Sequence, residues 1–475
     1  MKRHSSPQRV LLAMVTGALL VLSMRCPDIG FAAVNAVPFP VADTGASLLK
    51  EAQGAFKKRA YQEALDLLDR AGKEGPLPAD ALRMKVRAQL YVGKPKEALL
   101  DYEQLERVLA RDDADLLKEV ALGFVVVLTK DMREQMRGAA YTALKDFESA
   151  DMVPYLEDGL SDGSALVRAL AVEGLGKTGQ GRRSAKLRKA LDDQAGLVKA
   201  AVLKVLGQSQ DRTVVPLLEQ ALKDDQSVVR LAAAGALYHM GRKTMWDQVR
   251  TATSAANPEE RAAALRLLGN LKDDRSLAVL LEAITDPQPS VRGAAASALG
   301  DLGKVEGVVA VEQALKDKIP AVRTSAAISL GELGVKSSAS VLKQALSDPN
   351  PVVRAAVVSA LLRIGEPVEE VLSAVDILLR QSEPGTRSAA AKALGRAHGK
   401  GGEMVIGLLS DLLTDPIPRP RIAAARSLGQ IGGDKVIPIL KRALHDEDDA
   451  VRAAAGGALG RVLNSAVKST KVPKI

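Results

Sequence analysis

The chain of 475 residues contains one cysteine, one tryptophan and only 3% aromatic residues. A single thiol, Cys26, cannot close an internal disulfide, so stability must come from packing. Five Phe, six Tyr and one Trp are too few to fill the pleated faces of an ordinary β-sandwich or barrel, which makes an all-α chain the expectation. Chemistry-bearing motifs are also scarce. The four histidines, His4, His239, His398 and His445, are isolated, no His-Glu dipeptide occurs, and there is neither a Walker loop nor a Gly-x-Ser-x-Gly. Gly399, Gly401 and Gly402 fall in an interhelix loop with no strand before them to build a phosphate cradle. No catalytic residue, metal site or cofactor is therefore expected. The 47% hydrophobic and 26% charged residues fit a folded, soluble chain and exclude a disordered, collagenous or polytopic membrane class.

The N-terminus reads as an export signal. A basic segment, MKRHSSPQR, precedes an uncharged apolar run from Val10 to Leu22, thirteen residues long and short of the ~20 that span a bilayer. Val34-Asn35-Ala36 offers small or modest side chains for cleavage, so residues 1–36 are expected to be a secretory signal peptide and the protein periplasmic or secreted. An uncleaved N-terminal anchor is the alternative, and it would be the only membrane contact. Ser23-Met24-Arg25 before Cys26 matches a lipoprotein signal poorly. Without the leader, 62 basic residues face 56 acidic ones, a mild excess that predicts no nucleic-acid partner.

Eleven repeats dominate what remains. Strings such as VRALAVEGLG, VRGAAASALG and VRTSAAISLG place a basic residue at Arg137, Arg168, Lys199, Arg230, Arg261, Arg292, Arg323 and Arg354, each 31 after the last, and then at Arg387, Arg421 and Arg452. A Leu follows seven residues later in all eleven, and in eight of them the next residue is Gly. Within one repeat, Val291, Ala295, Leu299 and Leu302 mark one face of a helix. Segments such as Val214 to Asp225 supply a second amphipathic helix, so each repeat is a helix pair that must stack on its neighbours. The prediction is an all-α solenoid over residues 115–467, followed by a basic tail, 468–475.

Nine of the eleven repeats carry Asp six residues before the basic position, as in the pairs Asp162 and Arg168, Asp286 and Arg292, Asp317 and Arg323, Asp348 and Arg354, Asp415 and Arg421, and Asp446 and Arg452. An Asp there can accept backbone N–H groups at the opening of the second helix and face an Arg of its own or the next repeat. A feature repeated at every joint is expected to be a structural ladder, not a reactive site.

This pattern of Asp, Val-Arg, Ala-Ala and Leu-Gly resembles the short HEAT repeats first grouped with phycobilisome lyase subunits. The resemblance implies a concave face lined by the Arg-bearing helices and a role in binding other proteins. Before the array, AFKKRAYQEALDLLDRA and QLYVGKPKEALLDYEQL align with a shift of 34, Tyr61 with Pro95 and Ala64-Leu65 with Ala98-Leu99, which resembles tetratricopeptide repeats over residues 44–111. That pair is expected to cap the solenoid end or to offer a short peptide groove.

If the Arg-bearing helices line the inner wall, the residues five and nine after each Arg should look inward. The last four repeats then present Ser359, Arg363, Lys392, Arg396, Arg426, Gln430 and Arg461, a basic wall suited to an acidic partner. The first repeats present a mixed polar set that includes His239, and the middle ones Ser297, Asp301, Ile328 and Glu332. Around Tyr238-His239-Met240 and Trp246 the pattern breaks, and Trp246 reads as a candidate interface anchor or as filler of a stacking defect. The function expected is an exported, non-enzymatic scaffold binding an envelope protein on the concave face. A phycobilisome-lyase-like or other HEAT-type enzyme and, behind it, a nucleic-acid-binding HEAT protein are the alternatives.

Overall fold

A computed structural model describes residues 44–179, 181–209, 211–397 and 402–470. The expected signal peptide, with His4 and Cys26, lies outside the described residues, as do His398, Gly399, Gly401 and the end of the basic tail. Every regular element among the described residues is helical. None of these helices is long and apolar enough to cross a membrane.

Four N-terminal helices come first: α1 (Thr44–Lys57), α2 (Tyr61–Glu74), α3 (Ala79–Tyr91) and α4 (Pro95–Leu109). They pack in sequence order, α2 on α3 and α3 on α4, with Gly45 of α1 beside Glu74 of α2. Repeat 1 consists of α5 (Ala114–Val126) and α6 (Glu134–Phe147), and ten further helix pairs follow. The first helix of a repeat is short, for example Val308–Ala314, Ala339–Ala345 and Ile437–Ala443, each entered through a 3-10 turn. The second helix is longer and begins with proline at its first position in six consecutive repeats, at Pro258, Pro289, Pro320, Pro351, Pro384 and Pro418. Proline there starts the helix in a preset φ and gives up an N–H that would have no intrahelical partner. Gly303, Gly334 and Gly365 end three of these helices in the left-handed conformation, at φ of 76°, 69° and 92°.

The Leu-Gly signature has a different cause, because its glycine lies inside the helix. At Gly331 an added Cβ would sit 2.8 Å from the Ala360 Cα of the next second helix, and the same approach joins Gly207 to Ala236, Gly269 to Ala298, Gly300 to Ser329 and Gly429 to Ala458. In each case the glycine, eight residues after its basic residue, meets the residue six after the next one. The second helices thus stack backbone against backbone as an inner layer, with the first helices outside.

The array does not end in a free face. The last helix, Asp449–Thr470, packs along α5 and α6 as well as along the second helix of repeat 10, Pro418–Ile431, so the eleven inner helices close into a ring. All its residues from Ala450 to Gly460 are buried, whereas other inner helices keep an exposed side. Small residues make this possible. A Cβ on Gly456 would lie 2.5 Å from the Ala121 carbonyl oxygen, one on Gly457 2.9 Å from Ala143 Cα, and one on Gly460 2.1 Å from the Phe147 ring. Asn464 Nδ2 donates to the Phe147 carbonyl at 2.8 Å.

The seam is out of register with the other joints. Here the glycine five residues after Arg452, not eight, meets Ala143, the residue six after Arg137. The two ends are therefore displaced by nearly one helical turn, about 5 Å at 1.5 Å per residue. The N-terminal hairpins buttress this seam instead of covering an open end: Lys441 Nζ lies 2.6 Å from Glu106 Oε1 of α4 and 3.3 Å from Asp112 Oδ1, and His445 Nε2 lies 2.7 Å from Glu103 Oε1.

Candidate binding surface inside the ring

Each ladder arginine performs two tasks. Its Nη1 donates to carbonyls of its own turn, as Arg323 does to Asp317 O at 2.9 Å and Lys318 O at 3.3 Å. Its Nε and Nη2 grip the Asp of the following repeat: Arg323 meets Asp348 at 2.7 and 2.8 Å, Arg292 meets Asp317 at 2.7 and 3.0 Å, and Arg168 meets Asp193 at 2.6 and 2.9 Å. Arg137 reaches Asp162 at 2.7 Å, Arg261 reaches Asp286 at 3.3 Å, Arg387 reaches Asp415 at 2.6 Å and Arg421 reaches Asp446 at 2.8 Å. The Asp in turn accepts the N–H two residues on, for example Asp348 Oδ1 from Asn350 N at 2.8 Å, which closes the turn before the helix. The N-cap is the residue after that turn closes, Asn350 in repeat 8, so the Asp shapes the approach to the helix and does not cap it. Bidentate arginine holds the carboxyls of Asp193, Asp317 and Asp415 below the usual carboxylate range.

The ladder breaks in three places. Arg354 binds only Asp348 O and Pro349 O, because Gln381 stands where the next Asp would be. Arg230 has Glu260 at 4.0 Å in place of an Asp. At the seam the register shift takes Arg452 to Asp449 of its own helix, while Asp131 pairs with Arg133 at 2.8 Å. Most of these side chains are engaged in the joints between repeats.

The bore is lined by other positions. Arg363, Lys392, Arg396 and Arg426 border a single cavity of about 530 Å³ on the inner wall of repeats 7 to 10, with Ser359, Gln430 and Glu332 beside them. Lys392 and Arg396 are exposed and, among the described residues, have no carboxylate within ion-pair distance. Arg363 Nε makes only a long bond, 3.4 Å, to the Gly331 carbonyl. Burial pushes the Glu332 carboxyl up, the like charge of Asp301 adds to this, and Arg363 and Arg396 oppose it. Burial likewise raises Asp301, against the pull of Lys272 and of Lys204 from repeat 3.

Three expected binding residues are engaged by other side chains. Arg426 does reach the cavity, yet its guanidinium is tied to Asp146 of α6 at 3.0 Å across the seam. Arg461 lies 3.6 Å from Glu148, also at the seam. Trp246 does not face the bore: it is only 6% exposed in an outer helix, donates from Nε1 to Ser276 Oγ at 3.0 Å and lies under the Arg275 guanidinium at 4.4 Å. It fills the stacking defect where Tyr238 replaces the joint glycine and donates to Asp273 at 2.6 Å. His239 stands half-exposed at an inner helix end, its pKa lowered by this partial burial and then by Lys243 and Lys204.

Ile328, the apolar residue expected on the wall, lines the cavity, but two further apolar positions were not anticipated. Val352, 47% exposed, and Ile422 line the same cavity, two residues before and one after their arginines. The position two before Arg lies two further turns back along the inward face from the position five after it, so helical spacing alone could have found it. Leu166, Leu197 and Val228 hold that position, exposed, in repeats 2 to 4.

A HEAT-repeat family profile matches residues 121–202, 184–254, 247–328, 308–379 and 371–460, without a gap between them. Comparison with curated proteins gives no match. Among solved structures, the chain is similar to human deoxyhypusine hydroxylase, at 21% identity, 53% of this chain, 96% of that one and a TM-score of 0.26. It is similar also to the CpcE–CpcF complex of phycocyanin lyase from Nostoc sp. PCC7120, at 22% identity, 44% of this chain, 91% of that one and a TM-score of 0.35. An engineered protein matches at 18% identity over 72% of this chain and 98% of its own, with a TM-score of 0.27. With its second helices stacked through an Asp-Arg ladder and the profile running from residue 121 to residue 460, the chain belongs to the HEAT-repeat family.

Proposed function

We propose that this protein is an exported, non-enzymatic scaffold of the cell envelope that holds a protein partner against the inner wall of repeats 7 to 10. HEAT repeats are consistent with a protein-interaction role. The observation that carries the reading is the pair of exposed cations Lys392 and Arg396, without an ion pair among the described residues, sharing one cavity with Arg363. Long-range attraction of an acidic surface is what such a cluster does best. The tetratricopeptide-like hairpins serve in this reading as a brace for the seam, and residues 1–36 as the export signal.

The test is a crosslinked pull-down from envelope extract with the full-length chain, tagged at its C-terminus, beside K392E/R396E. Both proteins must first show the same helical circular dichroism. A protein recovered by the native chain and lost with the variant supports the reading; equal recovery moves the site off this wall. Fractionation of the tagged chain checks export, and retention in the cytoplasm would refute it.

A further inference from the structure

We infer that the partner meets this wall with a bipolar segment, basic across repeats 6 and 7 and acidic across repeats 8 and 9; the inference rests on the scaffold reading above and refines it. The observation is a row of charges on consecutive inner helices. Asp301, Glu332, Arg363 and Arg396 each stand nine residues after the ladder arginine of their repeat. The first three close the helices Pro289–Leu302, Pro320–Leu333 and Pro351–Ile364, and Arg396 lies in the turn after Pro384–Leu394. Each of these helices packs on the next, so the row runs along the wall with roughly 8 to 10 Å between neighbouring axes. Its sign changes once, between repeats 7 and 8. The uncharged amides of Asn270 and Gln430 hold the same position on either side. One turn back, Ser297, Ile328 and Ser359 carry no charge, while Lys392 repeats the positive sign of repeat 9 and Arg419 adds to it from repeat 10.

The two halves are neighbours and yet stay unpaired. An added Cβ on Gly331 would meet Arg363 Cδ at 3.5 Å, which sets the Arg363 stem beside Glu332, but Arg363 Nε turns to the Gly331 carbonyl. Glu332, Arg363 and Arg396 are exposed, Asp301 is half-buried, and among the described residues none of them has an ion-pair partner. Asp301 accepts only from Asn270 Nδ2, at 3.3 Å. Charges left open in this order are satisfied together by a surface that carries the opposite order. A uniformly acidic segment, or nucleic acid, would gain at Arg363 and Arg396 and lose against Asp301 and Glu332, because like charges brought together across an interface are penalised. Burial and then the like charge of Asp301 hold the Glu332 carboxyl up, a cost that a cation of the partner relieves.

Proline peptides supply a ruler for the test. Polyproline II has three residues per turn and rises about 3.1 Å per residue, so every third side chain falls on one face about 9 Å from the last, the pitch of the row. Three labelled proline peptides with a charged residue at every third position, in the order Lys-Lys-Glu-Glu, Lys-Glu-Lys-Glu or all Glu, are titrated with the full-length chain at low salt and followed by fluorescence anisotropy. The Lys-Lys-Glu-Glu peptide should bind about fivefold or more tightly than either of the others. D301K/E332K should reverse the preference in favour of the all-Glu peptide, and D301N/E332Q, the substitute if the reversal perturbs the circular dichroism, should abolish it. Binding of the all-Glu or the alternating peptide as tight as that of Lys-Lys-Glu-Glu would overturn the inference, and so would a preference that survives D301N/E332Q. Failure of all three to bind overturns it too; a pull-down partner that still depends on Lys392 and Arg396 then leaves the scaffold reading standing. A pull-down that yields nothing specific removes the scaffold reading itself.

Discussion

The joint between repeats 7 and 8 and the seam between repeats 11 and 1 bury similar helix faces by different means. The regular joint matches Gly331 to Ala360 and adds a buried bidentate pair, Arg323 with Asp348. The seam, shifted by about a turn, uses Gly456, Gly457 and Gly460 against α5 and α6, and its ion pairs are half-exposed cross-links such as Arg426 with Asp146 and Arg461 with Glu148. A regular joint is also held by the covalent chain, whereas the seam is held by non-covalent contacts alone. The comparison teaches that the ladder sets the register of neighbours, and small residues permit closure where the register fails.

The most severe way to break the comparison is Gly457→Leu. Its side chain would enter space held by Ala143, and overpacking costs about 1–3 kcal/mol or more. The expected outcome is a ring opened at the seam, with a larger radius of gyration in small-angle scattering, unchanged helicity and stepwise unfolding. Gly331→Leu should destabilise comparably yet leave the ring closed, because the chain still tethers that joint. A compact G457L ring would refute the assignment of closure to these contacts.

A second contrast runs along the ladder, where the local cost is larger but the ring stays closed. Arg323→Ala leaves Asp348 buried without its cation and should cost about 3–5 kcal/mol. Arg354→Ala removes only bonds to two carbonyls and should cost about 1–3 kcal/mol. Urea midpoints of the two variants measure the difference, and equal losses would deny the ladder its share.

Acid should act on the two regions with opposite signs. The lowered carboxyls of Asp193, Asp317 and Asp415 contribute stability that is present above their unfolded-state pKa and lost as pH falls through their folded values. Glu332 in the bore is raised, so its contribution is present below its unfolded pKa and lost as pH rises through the folded value. E332Q should therefore raise the melting temperature slightly at pH 7 and have no effect below about pH 4, the ordinary range of a free Glu. A stabilisation that persists at low pH would contradict this.

The smallest effect is expected at the half-exposed cross-link. Arg426→Ala should cost about 0.2–1 kcal/mol, and less in high salt. A loss as large as that of Arg323→Ala would make the seam electrostatic instead of packed.

The HEAT repeats, the inner helices and the residues of the Asp-Arg ladder were all legible in the sequence, because a period of 31 places identical side chains in identical surroundings. The inward direction of Arg363, Lys392 and Arg396 follows from the same helical arithmetic, and Val352 could have been found with it. Trp246 was ambiguous because one large side chain reads alike whether it fills a defect or faces a partner. Closure was decided only by the tertiary structure. Whether repeat 11 meets repeat 1 depends on the rotation and rise at every joint summed around the array, so a few degrees at each would open the ring. No local pattern encodes that sum, and even Gly456-Gly457 acquires its meaning only when α5 and α6 arrive beside it.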